Sequence, residues 1–129
     1  MSSPLTIDDG QAMKGRTGIA RIWYASGYSV AGLKAAYMGE AAFRQLVVLN
    51  ALLVTVAFML DVSRVERAVM IAVLFLGLIV ELLNSAIEAT VDRISLDIHP
   101  LSKQAKDMGS AAQMLALALT AITWCVILL

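Results

Sequence analysis

Three long apolar stretches, joined by short charged links, constrain this chain more than any other feature. Gln45–Leu60 carries no charged residue, and neither does Met108–Leu129. Between them, Ala68–Val91 is just as apolar but contains Glu81 and Glu88. A bilayer core about 30 Å thick is crossed by roughly 20 mainly apolar helical residues. The pattern therefore predicts three spans, over about residues 43–60, 68–91 and 108–129. The first gains length if the Arg44 side chain reaches back to the interface. Composition agrees: 60% of the residues are hydrophobic and 16% charged, against roughly 45–50% and 25% in soluble domains. A body this small leaves much of its surface outside and cannot hide such a surplus from water.

The same counts exclude other classes. One cysteine, Cys125, cannot build a disulfide scaffold. The apolar content argues against disorder. Ten basic and ten acidic residues balance to zero, so there is no basic footprint for nucleic acid. The fold class expected is an all-α membrane protein.

Residues 1–13 are polar, lack an apolar core and read as a disordered tail, leaving 14–129 as one membrane domain. Over about 19–40, Ile19, Ile22, Trp23, Ser26, Val30, Leu33 and Tyr37 recur at helical spacing, with Arg21 and Lys34 elsewhere on the wheel. That suits an amphipathic helix lying in the interface, which Gly27, Gly32 and Gly39 would weaken or bend. Two links, Asp61–Arg67 and Asp92–Asp107, join the spans. Lys and Arg favour the cytoplasmic side. Lys14, Arg16, Arg21, Lys34, Arg44, Arg93, Lys103 and Lys106 outnumber Arg64 and Arg67. The expected orientation has the N-terminus and the second link in the cytoplasm and the C-terminus outside.

Ionisable residues inside a span are costly and usually serve a function. Glu81, Asn84, Ser85, Glu88 and Asp92 sit at offsets 0, 3, 4, 7 and 11 of one helix. At about 100° per residue the three acids form one stripe, with Glu88 about 10 Å along the axis from Glu81. Glu40 ends the preceding segment on the same side and can join Glu88 at a divalent ion, which takes one or two carboxylates plus substrate phosphates. Lys106 and Asp107 open the third span at that level, where an ammonium meets phosphate, and Arg21 adds a further cation. The plainer alternative is that these charges pair with one another to hold the bundle together.

The run Glu81-Leu82-Leu83-Asn84-Ser85-Ala86-Ile87-Glu88-Ala89-Thr90-Val91-Asp92 resembles the ExxNSxxExxxD signature of the prokaryotic integral-membrane diacylglycerol kinases. Two more blocks agree: Gly39-Glu40-Ala41-Ala42-Phe43-Arg44-Gln45 and Ala105-Lys106-Asp107-Met108-Gly109-Ser110-Ala111-Ala112. The likeness departs at Tyr24, Gly39 and Leu46. The resemblance implies a homotrimer in the bacterial cytoplasmic membrane, with active sites shared between chains, that phosphorylates diacylglycerol with ATP and Mg²⁺ to give phosphatidic acid. It implies that Glu81 is the catalytic acid/base and that Glu40 and Glu88 hold the metal at the ATP phosphates. By the same carry-over, Arg21, Tyr28, His99, Lys106 and Asp107 contact the nucleotide, and Asn84 is a polar partner in the site. Ser29, Arg44, Ser110 and Trp124 match positions near the lipid or the site.

No GxxxxGK[ST] or GxGxxG loop is present. Phosphoryl transfer needs in-line positioning, charge neutralisation and a group that orients the attacking hydroxyl, and none of these requires such a loop. Three helices cannot enclose a polar site alone, so neighbouring chains are expected to complete it. Ala86, Ala89, Gly109, Ser110, Ala111 and Ala112 are small enough for close helix contact. Two rival functions use similar residues. Undecaprenol kinase differs only in its lipid alcohol, and a small proton-coupled exporter would also place a glutamate in the membrane. His99 has no neighbours at zinc-ligand spacing, Trp124 alone reads as an interfacial anchor, and Cys125 as a packing residue.

Overall fold

The computed structural model describes residues 17–129; the expected polar tail at 1–13 lies outside them. Four helices follow one another: α1 (Ile19–Gly39), α2 (Ala41–Met59), α3 (Arg64–Ile94) and α4 (Pro100–Leu128). By length and composition, α2, α3 and α4 can each cross a membrane. Phe58, Phe75, Leu83, Leu115 and Ile122 are all exposed on the single chain. Apolar spans with apolar outer faces make this a multi-pass membrane protein.

The chain divides into two units at Ala35/Ala36. In the N-terminal unit, Gly18 turns the chain into α1 at φ 68°, a backbone conformation that favours glycine. The helix runs unbroken through Gly27 and Gly32 and ends at Gly39. The second unit, from Ala36 onward, holds the three spans.

Two of the helices are longer than their apolar windows. At 1.5 Å per residue, the 31 residues of α3 extend about 46 Å and the 29 residues of α4 about 43 Å, well beyond a bilayer core. The expected polar link at 92–107 therefore shrinks to Ser95–His99, and Asp92, Lys106 and Asp107 are all helical. Hydropathy marks only the part of a helix that lipid covers; capping sets its real ends. Ser63 Oγ accepts from the Glu66 N–H at 3.1 Å while Glu66 Oε2 accepts from the Ser63 N–H at 3.0 Å, a capping box that starts α3 ahead of its apolar run. His99 Nδ1 accepts from the Leu101 N–H at 3.1 Å, and Pro100 takes the first helical position of α4.

α3 is the central element, packed against both α2 and α4. Phe43, Leu46 and Ala57 of α2 and Met70, Val73 and Leu74 of α3 are buried. Leu46, where the family resemblance lapses, is thus a core residue. Asn50 is buried and donates from Nδ2 to the Leu74 carbonyl at 2.8 Å. On the other flank, Thr120 Oγ1 donates to Val73 O at 3.3 Å and Trp124 Nε1 to Met70 O at 3.2 Å. Arg67 donates to the carbonyls of Ala57 and Leu60, both at 2.9 Å, and so closes the C-terminal end of α2. Interhelical hydrogen bonds in lipid contribute on average about 0.6 kcal/mol and up to about 1.7. Asn50→Ala is expected to lower stability by about 1 kcal/mol in a denaturant titration in detergent and to leave turnover unchanged; an unshifted midpoint would show that the Asn50–Leu74 bond contributes nothing.

Candidate active site

Glu81 is the acid held deepest, with 7% of its surface exposed, on α3. One turn on, Asn84 meets Gly109 of α4. A Cβ added at Gly109 would stand 2.1 Å from Asn84 Oδ1 and 3.1 Å from its Cγ. The two helices meet closely there because residue 109 has no side chain. Two turns from Glu81, Glu88 is half-buried, and Glu40 caps the start of α2 without a side-chain cap bond. Neither the Glu40 nor the Glu88 side chain has a hydrogen-bond or ion-pair partner among the described residues. Both carboxylates lie within electrostatic reach of Glu81. Glu88 and Glu40 both repel a charged Glu81, and a cation held there would offset that repulsion.

Lys106 brings a cation to this end of α3. Its ammonium donates to Asp92 Oδ1 at 2.7 Å and lies within electrostatic reach of Glu88. Asp107 pairs with Lys103 one turn back. Both pairs are substantially exposed, and exposed ion pairs are weak enough to be exchanged for a ligand's charges. Asp92, His99, Ser102, Lys103, Lys106 and Asp107 share the lining of one cleft of about 300 Å³ where α3 ends and α4 begins. The expected nucleotide residues His99, Lys106 and Asp107 are thus brought together, at the open end of the acidic stripe.

Other expected site residues fall elsewhere. Arg21, Tyr28 and Ser29 are exposed on α1 in the N-terminal unit, where Ser29 Oγ donates to Ala25 O at 3.1 Å. Arg44 turns its guanidinium back onto the carbonyls of Tyr37 and Met38, at 2.8 and 3.1 Å, and caps the end of α1. Ser110 is exposed. Trp124 is bonded to Met70, eleven residues before Glu81 and so about 16 Å away along α3. Among the described residues, no three His, Cys, Asp or Glu side chains converge to hold an ion unaided.

A family profile described as prokaryotic diacylglycerol kinase matches residues 27–128, more than three quarters of the chain. The chain belongs to that family. It is 70% identical over 116 residues to the diacylglycerol kinase of Pseudomonas aeruginosa, covering 90% of this chain and 94% of that protein. Identity to the Escherichia coli diacylglycerol kinase is 53% over 112 residues, covering 87% of this chain and 92% of that one. The Haemophilus influenzae diacylglycerol kinase is 41% identical over 108 residues, covering 84% and 92%. The match takes in α2, α3 and α4 in full, along with every acid of the stripe and the cleft above it.

Reading this kinase by motif alone misses two neighbours of the site. Lys103 lines the cleft, and its signal is its place one turn before Asp107. Gln113 lies one turn along α4 from Gly109, which meets Asn84, and a lone polar residue in an apolar stretch is its signal.

Proposed function

We propose that the acidic stripe of α3 and the cleft above it transfer the γ-phosphoryl group of ATP to the hydroxyl of diacylglycerol, the lipid alcohol named by the family and its relatives. The observation that carries this reading is the arrangement along α3 and α4. A buried glutamate is followed along α3 by Glu88, whose carboxylate has no hydrogen-bond or ion-pair partner among the described residues, and then by a cleft lined with lysines. Diacylglycerol keeps its tails in the bilayer and its single hydroxyl near the interface, whereas ATP stays in water. A site reaching from the membrane interior to a polar helix end serves both.

In this account Lys106 exchanges Asp92 for phosphate oxygens, Asp107 and His99 border the nucleotide, and Arg21 and Tyr28 of α1 are further proposed nucleotide contacts on motif grounds. Glu40 and Glu88 would hold Mg²⁺, which neutralises phosphate charge when bound. Their unpaired carboxylates fit an ion that commonly takes one or two protein carboxylates and draws its other ligands from phosphates and water. Glu81 orients the lipid hydroxyl and accepts its proton as the hydroxyl oxygen attacks. Asn84 steadies this layer, and Ser29, Ser110, Arg44 and Trp124 are proposed to support the lipid or the site.

The assembly is proposed to be a homotrimer with shared sites. One chain leaves Glu88 and Glu40 only half-covered, and cyclic symmetry is the usual way for equal chains to enclose a site. The Lys/Arg distribution favours the cytoplasmic membrane with the N-terminus inside, and α1 is proposed to rest in the interface as an amphipathic helix.

Purified protein in mixed micelles with MgATP is expected to convert diacylglycerol to phosphatidic acid, at least tenfold faster than it phosphorylates undecaprenol. Preference for the polyprenol would reassign the acceptor. ATP consumption that does not depend on either lipid alcohol would exclude lipid-kinase activity.

A further inference from the structure

Between Ser110 and Thr120, α4 contains one polar residue, Gln113. It lies on the stripe that faces α3. Counting from Gly109 it comes at offset 4, with Ala116, Thr120 and Trp124 at 7, 11 and 15, all within about 80° of one another on the wheel. Three members of that stripe meet α3: Gly109 at Asn84, Thr120 at Val73 and Trp124 at Met70. The two helices run antiparallel, so these contacts fix their register. Gln113 falls opposite residues 80 and 81, at the depth of the buried Glu81.

Two buried side-chain atoms among the described residues have no hydrogen-bond partner, and both lie along the α3–α4 seam: Asn84 Oδ1, beside Gly109, and Gln113 Oε1, one turn deeper. The single chain already shields both from solvent, so an acceptor stands ready there for a donor that the seam itself presents. Carboxamide oxygens only accept. The depth of Gln113 holds one group that a proton-transfer reaction converts from acceptor to donor, the Glu81 carboxyl.

We propose that Gln113 is a positioning residue for the kinase reaction, its Oε1 accepting a hydrogen bond from the Glu81 carboxyl once that group has taken the proton of the lipid hydroxyl. The inference rests on the reading of Glu81 as the proton acceptor. In the transfer, the hydroxyl proton passes to Glu81 and the lipid oxygen bonds to the γ-phosphorus. The bond from that phosphorus to the bridging oxygen breaks, and its electron pair leaves with ADP. Gln113 holds the newly protonated carboxyl toward α4 with one acceptor. The unprotonated carboxylate gains nothing from that acceptor, so the contact favours the reacting state over the resting one. Asn84 Oδ1, beside Gly109, is a second acceptor on the same seam.

The test is steady-state kinetics of the full chain in mixed micelles, with diacylglycerol and MgATP each varied. Gln113→Met keeps the side chain's length and removes its carbonyl. It is expected to lower kcat about tenfold, to leave both KM values within twofold, and to leave the thermal midpoint in detergent unchanged or higher because an unpaired polar atom has gone. Gln113→Asn retains the carboxamide but retracts it by one methylene, and is expected to lower kcat about threefold. Wild-type kcat in Gln113→Met overturns the proposal, and so does a lost kcat accompanied by a lowered midpoint, since that would be a packing role. If Gln113→Met does not fold, wild-type kcat in Gln113→Asn overturns it instead. A fully active Glu81→Gln would remove the proton-acceptor reading itself, whereas an inactive Glu81→Gln beside a normal Gln113→Met removes only the role of Gln113.

Discussion

Replacing Glu81 by glutamine is expected to lower kcat by about a thousandfold while the protein remains folded and binds MgATP as before. General-base catalysis by a positioned side chain contributes about 10²–10⁴-fold, and a carboxamide of nearly the same shape cannot take up a proton. Burial of Glu81 gives the substitution a clean background, because a neutral side chain in an apolar interface carries less desolvation cost than a carboxylate. It also relieves repulsion from Glu88 and Glu40. The measurement is turnover at saturating diacylglycerol and MgATP, read beside nucleotide binding and the thermal midpoint. A variant within tenfold of wild-type turnover would remove Glu81 from the proton-accepting role. A variant that neither folds nor binds nucleotide would make its part structural.

The second large effect is expected at Gly109. A methyl group there would fall 2.1 Å from Asn84 Oδ1 and 3.1 Å from Asn84 Cγ, so the Asn84 side chain has to leave its place. The helix itself gains, since alanine is favoured over glycine in a helix interior by about 1 kcal/mol. Gly109→Ala should therefore separate the two readouts, losing at least tenfold in turnover with little change in thermal midpoint. Adding Asn84→Ala removes the clash and is expected to leave a well-folded protein that stays slow. Wild-type turnover in Gly109→Ala would mean that the position of the Asn84 carboxamide has no bearing on catalysis. Gly109→Leu should go further and separate α3 from α4.

The features legible in the sequence were those with a period or a length. Three apolar runs gave three membrane-length helices, and the offsets from Glu81 to Asp92 gave a shared helix face. Less visible were features decided by single hydrogen bonds. Nothing in hydropathy says that Ser63 and Glu66 would start α3 ahead of its apolar run, or that His99 and Pro100 would start α4 eight residues before Met108. Charged residues beyond a bilayer surface are as content in a helix as in a loop, so the second link was overestimated. Partners across an interface are also hidden in one dimension. The pairing of Asn50 with Leu74 and of Trp124 with Met70, and the gathering of Asn84 and Gln113 on one seam, follow from interhelical register. Arg44 and His99 carry motif-based expectations, yet each also has a local bond that the motif did not suggest.

Asn50, Thr120 and Trp124 all fasten to one short stretch of α3, Met70–Leu74, and Arg67 ties down the adjoining turn. Toward Asp92, the hydrogen bond linking the helices among the described residues is the exposed Lys106–Asp92 pair. The bundle is consequently built like tongs, riveted at the Met70 end and sprung at the other. Opening is expected to cost less at the Asp92 end, where the proposed nucleotide cleft lies, than at the Met70 end.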